Sequence, residues 1–334
     1  MKLTKQQQTQ FEEDGVLCLR NVLKASAIDG LRQAVDEQMR GLGSSGTGYD
    51  FEDIARQIWT SGENVETGAA SRLDMSAMKS AVLMDEDARP LLERELSEGE
   101  GGFFYDVAAW KKNKNVRDVA FDSKLPELVA DLLGAKYLNF WEDTTFVKAP
   151  GTRQKTAFHQ DLAYFQISGD QCVIVWIALD KATMKNGVLQ YVRGSHKWKE
   201  TFAPNVFVSQ TPVAKSPETR CPDIEGNLDA YDIVSFDVMP GDVIIHHVRT
   251  LHGAGGNMSK NWRRAVSFRY CGDQVRYYDR PGAIPQVGLS HDLQTGDRLM
   301  SRDYPIVWPK PWPEACLSEL YDATFQNTHI EEAV

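Results

Sequence analysis

Two histidines and one carboxylate are spaced as ligands of a single metal ion. His159 and Asp161 are two residues apart, and His252 follows 91 residues after Asp161. Residues i and i+2 of a strand point to the same face, so one strand can present both His159 and Asp161 to an ion. Two imidazole nitrogens and a carboxylate on one face of an octahedral ion leave three positions open, as in non-haem Fe(II) oxygenases. The spacing therefore predicts an iron site that also binds a cosubstrate and dioxygen.

His246 and His247 are the alternatives to His252 as the third ligand. One of two adjacent residues on a strand points inward, so alternation alone does not exclude them. We favour His252 because the glycine-rich run 253–256 after it lets the backbone approach a metal, and because of its distance from Arg263. His246 and His247 are then expected to be buried histidines satisfied by neighbours, and His196 is expected to hold a turn.

Arg263 lies eleven residues after His252 and is a candidate carboxylate ligand. A planar guanidinium binds a carboxylate through two hydrogen bonds, and the distal carboxylate of 2-oxoglutarate needs such a partner. On the strand that Arg263 begins, Ser267 and Arg269 share its face. Ser267 is expected to line the cosubstrate site, while Arg269 either neighbours the pocket or is solvated. Arg264 points the other way and is expected to pair with a surface acid.

The alternating run before the His-x-Asp motif has one face that must line the cavity. Glu142, Thr144, Phe146 and Lys148 lie on one side, and Trp141, Asp143, Thr145 and Val147 lie on the other. We expect the more polar first set to face inward, which makes Thr144 a further candidate contact of the cosubstrate.

With their neighbours, these residues resemble the phytanoyl-CoA dioxygenase family over roughly residues 9 to 280, although 43 to 135 matches only loosely. The motifs follow the order of the family. The chain opens with FEEDGV at 11–16 and continues with HQDLAYF at 159–165, NG at 186–187, GSHK at 194–197, PGD at 240–242, HGA at 252–254 and RRA at 263–265.

The resemblance implies an Fe(II)- and 2-oxoglutarate-dependent dioxygenase on a double-stranded β-helix. It implies iron ligation by the three residues above, distal-carboxylate binding by Arg263, and an aromatic contact with the cosubstrate from Trp176. Many relatives carry a hydroxyl residue where this chain has Ala254, so any hydrogen bond from that position is lost or comes from another group. Halogenating relatives lack the acid, so Asp161 favours hydroxylation, with release of succinate and carbon dioxide.

The substrate stays open between a small molecule and an acyl-CoA thioester that would be hydroxylated by the same mechanism. The net charge of −10 mildly disfavours a ligand as anionic as CoA. Two other hypotheses are a cupin-like metal-binding protein without oxygenase activity and a degenerate binding module. Arg263 argues against the first, since a carboxylate ligand has no purpose without the cosubstrate, and the complete triad argues against the second.

Composition and charge favour a cytoplasmic enzyme that binds neither nucleic acid nor membranes. The chain is acidic, has no apolar run long enough to cross a bilayer, and begins with a polar segment unlike a secretory signal. Its five cysteines are scattered without a Cys-x-x-Cys motif, which predicts reduced thiols in a reducing compartment. A homo-oligomer is compatible with all of this.

Periodicity predicts a mainly β fold with helical elaboration, arranged as one domain over residues 1–334. Residues 1–135 are expected to be mostly helical, 136–280 to form a jelly-roll, cupin-like β-helix core with a lid at 197–231, and 281–334 to be a C-terminal extension. The expected helices are 5–13, 25–39, 51–60, 72–96 and 125–133, with a strand at 16–19. The expected core strands are 137–148, 171–179, 187–192, 232–238, 242–248 and 263–271.

Overall fold

The computed structural model describes residues 2–41, 49–50, 102–205, 207–208, 210, 217–281, 283 and 292–310. The expected helices at 51–60 and 72–96 lie outside the described residues. So do His291 and His329, which have no motif around them and are expected to be surface residues.

Within the described residues, four α-helices precede most of the strands. They are α1 (Lys5–Asp14), α2 (Ala25–Arg40), α3 (Lys114–Asp122) and α4 (Leu125–Leu133). The strands are β1 (Val16–Leu19), β2 (Tyr49–Asp50), β3 (Phe103–Val107), β4 (Leu138–Lys148), β5 (Thr156–His159), β6 (Ile167–Ser168), β7 (Cys172–Ala178), β8 (Leu189–Val192), β9 (Ile233–Ser235), β10 (Val243–His247), β11 (His252–Ala254), β12 (Arg263–Gly272), β13 (Arg276–Tyr277) and β14 (Ile306–Trp308).

An eight-stranded antiparallel sheet forms one wall of the fold. Its order is β1-β10-β7-β12-β4-β3-β2, with β14 paired to β4 as well. Strand β7 is buried along its whole length because both of its faces are covered. Val173, Val175 and Ile177 pack against the helices, while Ile174 and Trp176 face the other way and line a cavity.

A four-stranded sheet, β5-β11-β8-β9, forms the opposite wall of that cavity. Its central pairing joins β11 to β5 on one side and to β8 on the other. The two antiparallel sheets make the double-stranded β-helix, or jelly-roll, that was predicted for this chain.

The helices cover the outer face of the large sheet. Helix α1 begins with a capping box between Thr4 and Gln7 and ends at Gly15. Gly15 has φ +74, and a Cβ atom there would lie 2.3 Å from the ring of His196, so only glycine fits this close approach. His196 in turn contacts the Glu12 carbonyl at 3.2 Å, consistent with its expected role in holding a turn.

Most of the expected elements are present, with ends that differ by one or two residues. Strand Val16–Leu19 and helix Leu125–Leu133 have the expected bounds, whereas β9 is shorter than the expected 232–238. The described part of residues 1–135 also contains β3, a strand that the sequence pattern did not predict and that pairs with β4. One expectation was wrong. Asp161 does not lie on the strand of His159, because β5 ends at His159 and Asp161 begins a 3-10 turn.

None of the helices in the described part of the chain combines the length and apolar character that a membrane span requires.

Candidate active site

The three predicted ligands meet at the end of the small sheet. His159, the last residue of β5, is the cross-strand partner of His252, the first residue of β11. The intervening Gln160 is extended, so Asp161 still projects beside His159 although it lies on the following turn. The Nε2 atoms of His159 and His252 lie 3.8 and 3.7 Å from oxygens of Asp161. All three ligand atoms fall within 4.8 Å of one another, a separation that one metal ion can bridge.

Backbone carbonyls fix the orientation of both imidazoles. The Nδ1 atom of His159 lies 2.8 Å from the Ala157 oxygen, and Nδ1 of His252 lies 2.9 Å from the Thr250 oxygen. Each Nδ1 therefore carries the proton and donates, which leaves both Nε2 lone pairs for a ligand. Nε2 of His159 is buried and has no hydrogen-bond partner among the described residues. A buried, unsatisfied acceptor beside a carboxylate fits a divalent metal.

The charge state of the site also suits a metal. Burial opposes ionisation of Asp161, but attraction to His252 and contacts with His159 and His246 outweigh it and hold the pKa of the carboxyl well below its usual value. Burial, and then repulsion from His159, lowers the pKa of His252 well below that of a free imidazole. The site therefore presents a neutral His252 imidazole and an Asp161 carboxylate at neutral pH, the protonation states that metal binding requires.

His246 and His247 have different roles in the structure. His246 places Nε2 3.1 Å from Oδ2 of Asp161 and Nδ1 3.3 Å from the hydroxyl of Tyr191. The tyrosine can donate to Nδ1 while Nε2–H donates to the carboxylate, so His246 supports a ligand rather than replacing His252. His247 points away from the triad, and its Nδ1 accepts a hydrogen bond from the Arg249 amide at 3.2 Å.

A cationic end of the cavity lies at the start of β12. Arg263 is 3% exposed, its Cζ atom lies 6.0 Å from the Trp176 ring, and its Nε has no hydrogen-bond partner among the described residues. Burial lowers the pKa of Arg263 to about 10, which leaves it cationic at neutral pH. Lys148 is fully buried nearby and donates to the Gly255 carbonyl at 2.7 Å. Burial, together with the charge of Arg263, lowers the pKa of Lys148.

One open cavity connects this cationic end to the triad. The structure thus brings together seven of the residues singled out from the sequence, and all of them line the cavity: His159, Asp161, Trp176, His252, Arg263, Ser267 and Arg269. The Ser267 hydroxyl is buried without a hydrogen-bond partner in the described part of the chain, so it is available to a ligand.

Thr144 was expected to line the cavity, but it is not among the residues that do. It lies opposite Ser267 in the β4–β12 pair, on the inward face, but its hydroxyl accepts a hydrogen bond from Nη1 of Arg269. Its contact with the site is therefore through Arg269. Phe146, on the same face of β4, does reach the cavity.

Several cavity residues were missed or misjudged from the sequence. Phe103 belongs to β3, which no pattern had indicated, and Phe207 lies in the segment expected to be a lid.

Arg264 points outward, as alternation predicts, and pairs with Asp180 at 2.9 Å and Asp36 at 2.8 Å.

A jelly-roll whose cavity holds two histidines and a carboxylate, with a buried arginine on the large-sheet wall of the same cavity, defines the class of 2-oxoglutarate-dependent non-haem iron dioxygenases. The family model described as "Phytanoyl-CoA dioxygenase (PhyH)" matches residues 11–265, and the chain belongs to this family. The predicted enzyme class is confirmed, and with it the cofactor set of Fe(II), 2-oxoglutarate and dioxygen.

Relatives and solved structures of this kind are numerous. The chain is 23% identical to a probable phytanoyl-CoA dioxygenase of Caenorhabditis elegans over 316 residues, which cover 90% of this chain and 86% of that protein. It is 33% identical to a probable alpha-ketoglutarate-dependent hypophosphite dioxygenase of Stutzerimonas stutzeri over 125 residues, covering 36% and 41%. The crystal structure of the non-heme alpha ketoglutarate dependent carbocyclase SnoK, from nogalamycin biosynthesis, has a similar fold with a TM-score of 0.62, 21% identity and coverage of 92% and 97%.

Proposed function

We propose that this dioxygenase hydroxylates a small-molecule substrate while 2-oxoglutarate is converted to succinate and carbon dioxide. The observation that carries the proposal is the joint lining of one cavity by the triad and by the buried, incompletely hydrogen-bonded Arg263. A metal site alone would serve many reactions. A metal site beside a guanidinium that can bind a distal carboxylate indicates a reaction that consumes a dicarboxylate cosubstrate.

The triad, Arg263 and the aromatic residues of the cavity have distinct tasks in this reaction. His159, Asp161 and His252 would hold Fe(II), which, when bound, supplies the activation of dioxygen that couples cosubstrate and substrate oxidation. Arg263 binds and orients the distal carboxylate of 2-oxoglutarate, with Trp176 packed beside the guanidinium. Aromatic side chains line another part of the wall and shield the reacting centre from water; they are Phe103, Phe146 and Phe207.

Hydroxylation is favoured over the other outcomes that this fold supports. Asp161 fills the coordination position that a halide would need, which opposes halogenation. The fold alone does not distinguish hydroxylation from other oxidations, because a similar fold belongs to an enzyme named as a carbocyclase. We therefore infer hydroxylation from the complete set of three protein ligands.

One curated relative and the net charge favour a small substrate over an acyl-CoA thioester. The relative from Stutzerimonas stutzeri is named for hypophosphite, a very small substrate, and the net charge of −10 does not attract CoA. Acyl-CoA 2-hydroxylation by the same mechanism is the second candidate, because curated relatives are named phytanoyl-CoA dioxygenases.

A substrate screen tests the proposal directly. The Fe(II)-loaded protein is expected to release succinate slowly from 2-oxoglutarate in air and faster with its substrate, whose product gains one oxygen atom. The screen includes small metabolites and an acyl-CoA with its free acid, so that it separates the two candidates. Absence of succinate under every iron-loaded condition would overturn the oxygenase function, and a product without added oxygen would overturn hydroxylation.

A further inference from the structure

Arg269 is a second buried arginine in the cavity wall, and the function proposed above gives it no task. We propose that Arg269 binds an oxyanion carried by the substrate, so that the substrate is a small carboxylate or phosphorus oxyanion. This inference rests on the proposed function, because it assigns the part of the cavity that the cosubstrate leaves free.

Strand register places Arg269 level with His246, the residue that contacts the ligand Asp161. Arg269 on β12 pairs with Ile174 on β7, and Ile174 pairs with His246 on β10. His246 contacts the Asp161 carboxylate at 3.1 Å. Arg269 thus lies in the row of the sheet that supports the triad, and its side chain reaches the cavity.

The two arginines stand at different levels of the same strand. Arg263 lies six residues before Arg269 on β12, a separation of about 20 Å along the strand at roughly 3.3 Å per residue. Arg263 already accounts for the distal carboxylate of 2-oxoglutarate, so we assign Arg269 to an anion of another molecule. The alternative, a contact between Arg269 and the oxo-acid end of 2-oxoglutarate, predicts a loss of 2-oxoglutarate binding in the Arg269 variants below.

The guanidinium of Arg269 is held in place, but not all of its N–H donors have hydrogen-bond partners among the described residues. It is 6% exposed, its Nη1 donates to the Thr144 hydroxyl, and its Cζ lies 5.1 Å from the Phe165 ring centroid. Nε has no hydrogen-bond partner among the described residues. A side chain fixed on one edge with an unmet buried donor is preorganised for a ligand.

Among the described residues, Glu142 is the acid that forms an ion pair with Arg269 and could give it a purely structural role. Its Oε2 lies 3.8 Å from Nη1 of Arg269, which is an ion-pair distance but too long for a hydrogen bond. The guanidinium therefore keeps donors for a second oxyanion, and the two residues stay directly opposite each other across β4 and β12. Glu142 favours a singly charged ligand over a doubly charged one, since it offsets part of the positive charge.

Binding of matched small anions and a neutral analogue tests the assignment. The probes are butanoate, propylphosphonate and butanamide, titrated calorimetrically without oxygen into protein loaded with Fe(II) and saturating 2-oxoglutarate. Butanoate and butanamide have the same shape and differ in charge. At least one anion is expected to bind at least about tenfold more tightly than butanamide, and the better anion identifies the source of the oxyanion. Equal binding of butanamide, or no anion binding at millimolar concentration, overturns the proposal.

Variants separate substrate binding from cosubstrate binding. Arg269→Gln is expected to lose the preference for the anion while its affinity for 2-oxoglutarate stays that of the wild type, and Arg269→Lys is expected to retain part of the preference. Arg264→Gln, on the opposite face of the same strand, is the matched control. Anion binding unchanged in Arg269→Gln, or a parallel loss of 2-oxoglutarate binding, contradicts the assignment. If wild type fails to bind 2-oxoglutarate at all, the proposed function itself fails instead.

Discussion

Nε2 of His246 lies 3.1 Å from Oδ2 of Asp161, and both side chains are buried. The other ring nitrogen of His246 contacts the Tyr191 hydroxyl at 3.3 Å. A hydrogen bond to one oxygen of a metal-binding carboxylate orients the other oxygen towards the metal. The Tyr191–His246 pair supplies this hydrogen bond and selects one orientation of the Asp161 side chain.

Replacing His246 is therefore expected to weaken iron binding without abolishing it. His246→Ala removes the donor to Asp161 and should lower iron affinity by about 10- to 100-fold, the usual effect of losing such a supporting residue. Tyr191→Phe removes only the contact behind His246 and should have a smaller effect. Fe(II) titration of both variants measures this. Complete loss of iron in His246→Ala, with retention in His252→Ala, would show that the ligand assignment is wrong.

Replacing a ligand itself is expected to have a larger effect. Asp161→Ala or His252→Ala removes one of three metal-binding groups, so turnover should fall below detection and iron binding should be lost. Neither side chain fills the apolar core, so the far-ultraviolet circular dichroism spectrum should match that of the wild type. Residual succinate release in either variant, at a rate near that of the wild type, would exclude the residue as a ligand.

Strand alternation was enough to predict the inner face of β12. Period-2 spacing from Arg263 placed Ser267 inside and Arg264 outside, and both positions are found. Gly134 was enough to end helix α4, because it adopts the left-handed conformation that a helix end needs.

The sequence alone could not show which contacts the site residues make with partner strands. Asp161 faces the site from a turn, and that turn is held by the hydrogen bond from Leu162 N to Val248 O, 86 residues later. Thr144 was expected to touch the cosubstrate, but the longer Arg269 side chain takes its hydroxyl. Phe103 reaches the cavity through the pairing of β3 with β4, which a single sequence does not encode as a local pattern.

The pH dependence of stability should reveal His247. Burial, and then repulsion from His196, lowers the pKa of His247 from 6.5 to about 4. The unfolded chain therefore binds this proton first as the pH falls. Stability from this group is complete above the unfolded pKa of 6.5 and is lost on acidification towards the folded pKa of about 4.

The loss is measurable by urea unfolding of metal-free protein. Between about pH 8 and pH 5 the wild type should lose about 2 kcal/mol of unfolding free energy through His247 alone. His247→Gln, which cannot titrate, should lose less over that interval by about the same amount. Identical pH dependence of the two proteins would mean that His247 is not buried in its neutral form.

Arg263 decides between an oxygenase and a metal protein of another kind. It is 3% exposed, so truncating it leaves the distal carboxylate of 2-oxoglutarate without its charged partner in a desolvated wall. Such a loss costs about 2 to 4 kcal/mol, and Arg263→Ala should therefore weaken 2-oxoglutarate binding by roughly 30- to 1,000-fold. Arg263→Lys keeps a charge but loses the planar pair of donors, so it should recover only part of the affinity. Iron affinity should barely change in either variant.

Arg264→Ala is the matched control, because Arg264 is the next residue on β12 and its side chain pairs outward with Asp180. Anaerobic titration of 2-oxoglutarate into the Fe(II)-loaded variants, followed by the visible metal-to-ligand charge-transfer band, compares the affinities directly. Binding through Arg263 requires a large defect in Arg263→Ala and an affinity near that of the wild type in Arg264→Ala. Since the two residues differ in the face of the strand and not in charge, a larger defect in Arg264→Ala, or none in Arg263→Ala, would refute the cosubstrate site.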